Sequence, residues 1–283
     1  MFDCNAGEGY AVGNALHFLS IFNFIFILYL FSLLLYNVPM IVLKPNEKLE
    51  DLQCGGLMLI QSADEYRFTT DAVLLANFCR DMTGKFCVEF GAGSGVISLL
   101  LAMKKHPKQI FALEIQPQLA DMASRSVAYN NLQDVISVCC CDLKNASDVL
   151  PRLADVVVCN PPYRKVGSGE MQLAQNLAVC RHEIKATLSD VIASASKILN
   201  NKGNFYLVHQ ANRLCEIVTL CAQNNVAVKE ILPVCARVGK QPNLVLVRGV
   251  KCGESDCVLH APMFVCDEKG NYTPQAKAWY DGN

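Results

Sequence analysis

The sequence carries no excess of charge, no C-x-x-C pair, no internal repeat and no low-complexity tract. Each absence narrows the field. With 25 Lys and Arg against 26 Asp and Glu, the formal net charge is −1, so no chain-wide basic field draws in nucleic acid. Any such binding must come from a local patch. Without C-x-x-C spacing, the 15 cysteines do not point to a structural zinc site, and no metal is expected. Their number is odd, and Cys87, Cys159, Cys221 and Cys235 lie inside apolar runs, as reduced, buried thiols of a reducing cytosol would. Lys and Arg are missing altogether from residues 1–39, which hold Asp3 and Glu8; the remainder therefore has 25 basic and 24 acidic residues (26 less these two), a net of +1.

What is present first is apolar. A hydrophobic fraction of 52% over 283 residues is ample for a core in one large domain or two small ones. Ala15 to Tyr36 runs 22 residues without a charge, long enough to span a bilayer. No basic residue precedes it, so it lacks the form of a secretory signal. Lys44 and Lys48 follow it and would hold the remainder in the cytoplasm. A second reading stands beside this one: Met40 opens an ordinary N-terminal segment, and residues 1–39 come from an over-extended start.

Beyond residue 40, apolar runs alternate with helical patterns. Strands are predicted near 57–61, 86–90, 110–114, 135–141, 154–159 and 204–209, with a final antiparallel pair at 226–238 and 244–250. Helices are predicted at 71–78, 95–105, 117–129, 186–199 and 212–223, the fourth stopped by Asn200-Asn201-Lys202-Gly203. Alternation of this kind is an α/β fold with a doubly wound, mostly parallel sheet. Ligands of such sheets bind outside the carboxyl ends of the strands.

Two motifs sit at such ends. Glu89-Phe90-Gly91-Ala92-Gly93-Ser94-Gly95 follows the run Phe86-Cys87-Val88. Glycines at Gly91, Gly93 and Gly95 let backbone approach a ligand closely. The spacing differs from G-x-G-x-x-G, whose third glycine lies further on beside a pyrophosphate. Glu114, 19 residues past Gly95 at the next strand's end, can accept from two ribose hydroxyls. Glu89 suits an ammonium and would repel a diphosphate. Ammonium, sulfonium and ribose together describe S-adenosylmethionine, with a nicotinamide dinucleotide as the competing ligand. Asp142, after the third strand, is either an acceptor for the adenine amino group or a turn aspartate.

The second motif, Asn160-Pro161-Pro162-Tyr163, follows Ala154–Cys159. Exocyclic adenine amines and carboxamides are poor nucleophiles because the nitrogen lone pair is delocalised. The side-chain oxygen of Asn160 and the carbonyl of Pro161 can accept from both N–H groups, the prolines stiffen the turn, and Tyr163 offers a face for stacking. Arg164, Lys165, Arg181 and Lys185 follow, either as phosphate contacts or as a solvated surface.

From about residue 48 onward the chain resembles class I, Rossmann-like methyltransferases of the amino-methylating kind. More narrowly it is similar to the bacterial tRNA (adenine-N6)-methyltransferase family that acts beside the valine-tRNA anticodon. Asp51-Leu52-Gln53, Phe68 with Asp71-Ala-Val-Leu-Leu-Ala, both motifs above, and Arg181-His182-Glu183 carry the resemblance. It implies a seven-stranded, mostly parallel sheet with one antiparallel strand, an N-terminal strand and helix cap at 40–80, and a methyltransferase domain over 81–283. It also implies Phe68 and Asp71 at the cofactor's methionine end, Asn160 touching the cofactor as well as the acceptor, and RNA, most plainly tRNA, as the partner. His182 is either a base or a structural histidine. Methylation of a protein glutamine or of rRNA guanine N2 fits the same motif, and a membrane-tethered cofactor-binding module without chemistry is the third reading.

Overall fold

The structure, a computed structural model, describes residues 42–62, 70–161 and 186–281. Contacts divide the chain into Met1–Val42 and Leu43–Asn283, and every element named below belongs to the second unit. The apolar segment 15–36 lies outside the described residues, among which no helix is long and apolar enough to cross a membrane. Every cysteine among the described residues is a free thiol.

A hairpin of Glu47–Asp51 (β1) and Met58–Ser62 (β2) comes first, followed by the helix Thr70–Phe78 (α1). Strand and helix then alternate: Phe86–Phe90 (β3), Val96–Lys105 (α2), Gln109–Glu114 (β4), Pro117–Tyr129 (α3), Ile136–Cys140 (β5), the short turn Ala146–Val149 (α4) and Ala154–Cys159 (β6). After the acceptor motif come Leu188–Ile198 (α5), Leu199–Gln210 (β7), Leu214–Gln223 (α6), Val226–Arg237 (β8), Leu244–Lys251 (β9), Val258–Leu259 (β10), Met263–Cys266 (β11) and Pro274–Asp281 (α7).

The main sheet runs β10-β8-β9-β7-β6-β3-β4-β5. Strands β7, β6, β3, β4 and β5 are parallel, and β9 is antiparallel to both β7 and β8. The seven strands expected from the resemblance are therefore present with β9 as the reversed one. Two short segments, β10 and β11, extend the sheet along the outer edge of β8.

The buried strands follow period two, which sends successive side chains to opposite layers. Val156, Val158, Tyr206 and Val208 face a layer with Leu74, Leu75 and Leu99 of α1 and α2. Phe86, Val88, Phe90, Val157 and Phe205 face Val191, Ile192 and Ile217 of α5 and α6. Helix α5 starts at Leu188, later than its apolar pattern suggests, because Thr187 and Asp190 form a reciprocal capping box. It ends at Ile198 and passes straight into β7. The segment Asn200–Gly203 has the turn chemistry expected of a helix stop, including Lys202 at φ 63°, but lies within β7 as an irregularity between the pairs Ala154–Leu199 and Val156–Asn204.

Hydrogen bonds clasp the leading hairpin to α3. Asn130 accepts from the Met58 N–H (2.9 Å) and donates to the Met58 carbonyl (2.7 Å), while the Ser126 hydroxyl accepts from the Ile60 N–H (2.9 Å). Arg125 pairs with Glu47 across the same contact and with Asp121 one turn earlier on its own helix. Asn130→Ala should lower unfolding free energy by about 2–4 kcal/mol, since it removes several part-buried bonds and strands the Met58 backbone groups. Urea titration should show a lower midpoint with an unchanged slope. An unchanged midpoint would mean that the clasp contributes nothing.

Candidate active site

Parallel pairing assembles the site. In the sheet Phe90 is the partner of Cys159 on one side and of Leu113 on the other. The chain therefore leaves three adjacent strands together at Gly91, Asn160 and Glu114, each about 5 Å from its neighbour in the pairing direction. Two motifs 65 residues apart in sequence thus share one edge, the carboxyl edge expected for ligands.

The glycine turn is fastened to β4. The Ala92 N–H donates to the Leu113 carbonyl (3.0 Å) and the Gly93 N–H to Glu114 Oε2 (2.9 Å). Glu114 Oε1 accepts from the Gln116 N–H (2.8 Å). Its side chain is buried, and burial raises its pKa, opposed by hydrogen bonds from the Gln116, Gly93 and Ile115 N–H groups. Three N–H groups thus address its roughly four lone-pair sites, which leaves acceptor capacity for a hydroxyl group. Gly91 and Gly93 hold φ values of 67° and 56°, and a Cβ on either would point into open space. At Gly95 (φ 95°) a Cβ would come within 3.2 Å of the Ala123 Cβ, so glycine also permits α2 to pack on α3.

Glu89 lies one strand away, 1% exposed. The Ser98 hydroxyl of α2 donates to its Oε2, and its Oε1 is buried with no hydrogen-bond partner. Burial pushes its pKa up to about 8; the Ser98 bonds oppose this and the Glu114 charge adds to it. A buried acid held neutral, with one oxygen unpartnered and a second buried acid nearby, is ionised most readily by a cationic ligand, and a diphosphate would gain nothing from it. The residues present therefore fit a donor with an ammonium and a ribose, as S-adenosylmethionine has.

The other expected residues are placed unevenly. Asn160 is half-buried and Pro161 buried at the end of β6. Asp71 stands in the first turn of α1, half-buried. Asp142 follows β5 but spends Oδ1 on the Lys144 N–H (3.0 Å) and lies 3.6 Å from the Lys144 ammonium, so its turn role is real. Phe68, Tyr163, Arg164, Lys165, Arg181, His182 and Lys185 lie outside the described residues. Among the described residues no group of His, Cys, Asp and Glu is arranged to hold a metal.

One residue at this edge goes unmarked in the sequence. His209 near the end of β7 is 1% exposed and, by the Cys159–Leu207 register, lies level with Pro161. Burial, with the Arg213 charge added, lowers its pKa to about 4. It is neutral at pH 7, with Nδ1 accepting from the Gln210 N–H (2.8 Å). The available signal was its position, a polar residue closing an apolar strand, as Asn160 closes β6.

A family model described as methyltransferase small domain matches residues 59–230. Similar proteins include a tRNA1(Val) (adenine(37)-N6)-methyltransferase of Porphyromonas gingivalis, 27% identical over 195 residues, covering 66% of this chain and 75% of the relative. One of the same description from Aeromonas hydrophila is 27% identical over 198 residues, covering 68% of this chain and 81% of the relative. Among solved structures, a predicted O-methyltransferase from Agrobacterium tumefaciens is similar at a TM-score of 0.61 and 22% identity, over 75% of this chain and 96% of that one. M. jannaschii TYW2 in complex with AdoMet is similar at 0.51 and 13% identity, over 74% of this chain and 88% of that one. These structural likenesses are likenesses of fold.

The raised pKa of Glu89 makes stability depend on pH with a definite sign. The ordinary carboxyl value is 4.5 and the folded value about 8, so the unfolded chain loses this proton first. The contribution is fully present below pH 4.5 and is lost as pH rises through 8. Glu89→Gln should flatten this decline in urea midpoints measured from pH 5 to 9. Parallel curves for the two proteins would show that Glu89 is not buried as a neutral acid.

Proposed function

The chain belongs to the methyltransferase small domain family and is an S-adenosylmethionine-dependent methyltransferase; we propose that its acceptor is N6 of an adenine in tRNA, beside the anticodon. The observation that carries the proposal is the β3–β6 pairing, which sets Asn160-Pro161 beside the glycine turn. The names of the relatives from Porphyromonas gingivalis and Aeromonas hydrophila support the same acceptor.

S-adenosylmethionine supplies an electrophilic methyl group on a sulfonium. Glu114 is the group to hold the ribose hydroxyls, and Glu89 with Asp71 the groups to meet the ammonium end. Gly91, Gly93 and Gly95 give the close approach, and Asp142, whose Oδ2 also faces the Lys144 ammonium (3.6 Å), is the group to accept from the adenine amino group. Asn160 and the Pro161 carbonyl accept from the two N–H groups of the target amine and favour a pyramidal nitrogen, which exposes its lone pair. No base of high strength is needed, because the nitrogen sheds its proton after the new N–C bond forms. His209, neutral and buried, lies level with Pro161 on the adjacent strand. The Tyr163 ring, three residues after Asn160 in the sequence, supplies the stacking face, and Arg164, Lys165 and Arg181 supply cations for the RNA backbone. Of the cap expected over 40–80, the β1–β2 hairpin and α1 pack against the catalytic domain of 81–283, and we assign the chemistry to the cytoplasm, where tRNA is found.

Asn160→Ala should lower single-turnover methylation by on the order of a hundredfold or more, with cofactor affinity nearly intact. Glu114→Ala should do the reverse, weakening cofactor binding by about 1.5–3 kcal/mol in calorimetry. Incubation of the protein with labelled cofactor and unmodified tRNA, followed by nucleoside analysis, decides the acceptor. N6-methyladenine is the expected product. Label in N2-methylguanine or in protein glutamine would overturn the adenine assignment and leave the methyltransferase assignment standing.

A further inference from the structure

Beyond the acceptor motif, the carboxyl edge of the sheet carries a second feature. A cleft of about 330 Å³ lies between the turn after β7 and the β8–β9 hairpin, lined by Ala211, Asn212, Leu214, Pro233, Pro242 and Val245. Its position is fixed by backbone pairing. Gln210 and Val234 both pair with Leu244, and the Ala211 N–H donates to the Asn243 carbonyl (3.0 Å). The cleft spans the positions one to three strands from β6, roughly 5–15 Å from the strand that carries Asn160. That volume is at the small end of ligand sites, enough for one planar group and not for a second cofactor.

The hairpin above it is basic and unpaired. No acid occurs between Glu230 and Glu254, while Arg237 and Lys240 occupy the tip. Both are exposed, and neither side chain has an ion-pair partner among the described residues. The flanking acid Asp267 is engaged locally, its carboxylate accepting from the Lys269 (2.8 Å) and Asn271 (2.9 Å) N–H groups. Asn212 is exposed at the wall of the cleft and can meet the edge of a base. Apolar and proline surfaces and an amide line the cleft, and two exposed cations stand on the hairpin that supplies Pro233, Pro242 and Val245 to its wall, Arg237 with its guanidinium over Gly270; surfaces for stacking near charges for the backbone are the chemistry of a nucleotide subsite.

We infer that this cleft receives a nucleotide neighbouring the target base, with Arg237 and Lys240 contacting the phosphates on either side. The inference rests on the RNA reading above and adds to it a docking surface for the strand that flanks the target. It gives a chain of net charge −1 a local means of holding a polyanion.

The test compares the wild-type protein with the double variant Arg237→Gln/Lys240→Gln, using unmodified tRNA over a range of salt concentrations. Two lost phosphate contacts should raise the KM for tRNA by roughly tenfold and reduce the slope of log affinity against log salt by about 1.5. S-adenosylmethionine affinity and the urea midpoint should not change. Asn212→Ala, which leaves the charges in place, should raise the KM without changing the salt slope. If wild-type protein methylates tRNA and the double variant keeps its KM and salt slope, the docking surface is wrong and the RNA reading stands. If wild-type protein neither binds nor methylates tRNA, both fall together.

Discussion

The pairing of β3 with β6 is the constraint on which the rest of the site depends. Neither motif has chemistry alone. The glycine turn is a place to lay a ligand against backbone, and Asn160-Pro161 is a pair of acceptors on a stiff turn. The Phe90–Cys159 register brings their starting points to adjacent strands. A shift of one residue would turn every side chain of β6 to the other layer, moving Val157 out of one core and Val156 and Val158 out of the other. The register is therefore held by burial on both faces, and the reacting edge inherits its geometry from the core.

Electrostatics at that edge are set by removal of water. Glu89 and Glu114 are both buried, both have raised pKa values, and Glu89 feels the charge of Glu114. Two acids at close quarters cost stability in the empty protein. A cationic ligand reverses this, since it favours the ionised form of each acid. Glu114 also shapes the turn that it shares with the ligand, because its carboxylate accepts from the Gly93 N–H.

Much of this was legible in the sequence wherever apolar runs ended at glycine or proline. Phe86–Phe90, Ala154–Cys159 and Pro117–Tyr129 appear with the bounds their patterns indicate. The mostly parallel sheet followed from alternation, and Glu114, singled out by its position at the next strand's end, accepts from the glycine turn, while Glu89 accepts from Ser98 of α2. What escaped lacked a periodic signal. The two-residue β10 exists through its backbone bonds to β8, and β1 is half-exposed and charged. Asn200–Gly203 has the chemistry of a turn, but the pairs Leu199–Ala154 and Asn204–Val156 with β6 on either side of it keep the chain within the sheet. Asp142 was ambiguous because an aspartate that caps its own turn is spelled like one that waits for a ligand. The burial of Glu89 Oε1 and the neutrality of His209 come from packing by residues distant in sequence.

The central claim is that cofactor and adenine meet between the glycine turn and Asn160. A ligand that joins the N6 of adenosine covalently to the sulfur end of the cofactor tests it most directly, by calorimetry against S-adenosylhomocysteine. Joined halves that both fit should bind more tightly than the cofactor product by about tenfold or more. Asn160→Ala should remove that gain and leave the S-adenosylhomocysteine affinity in place. Equal affinity of the two ligands for the wild-type protein, or a gain that survives Asn160→Ala, would contradict the account.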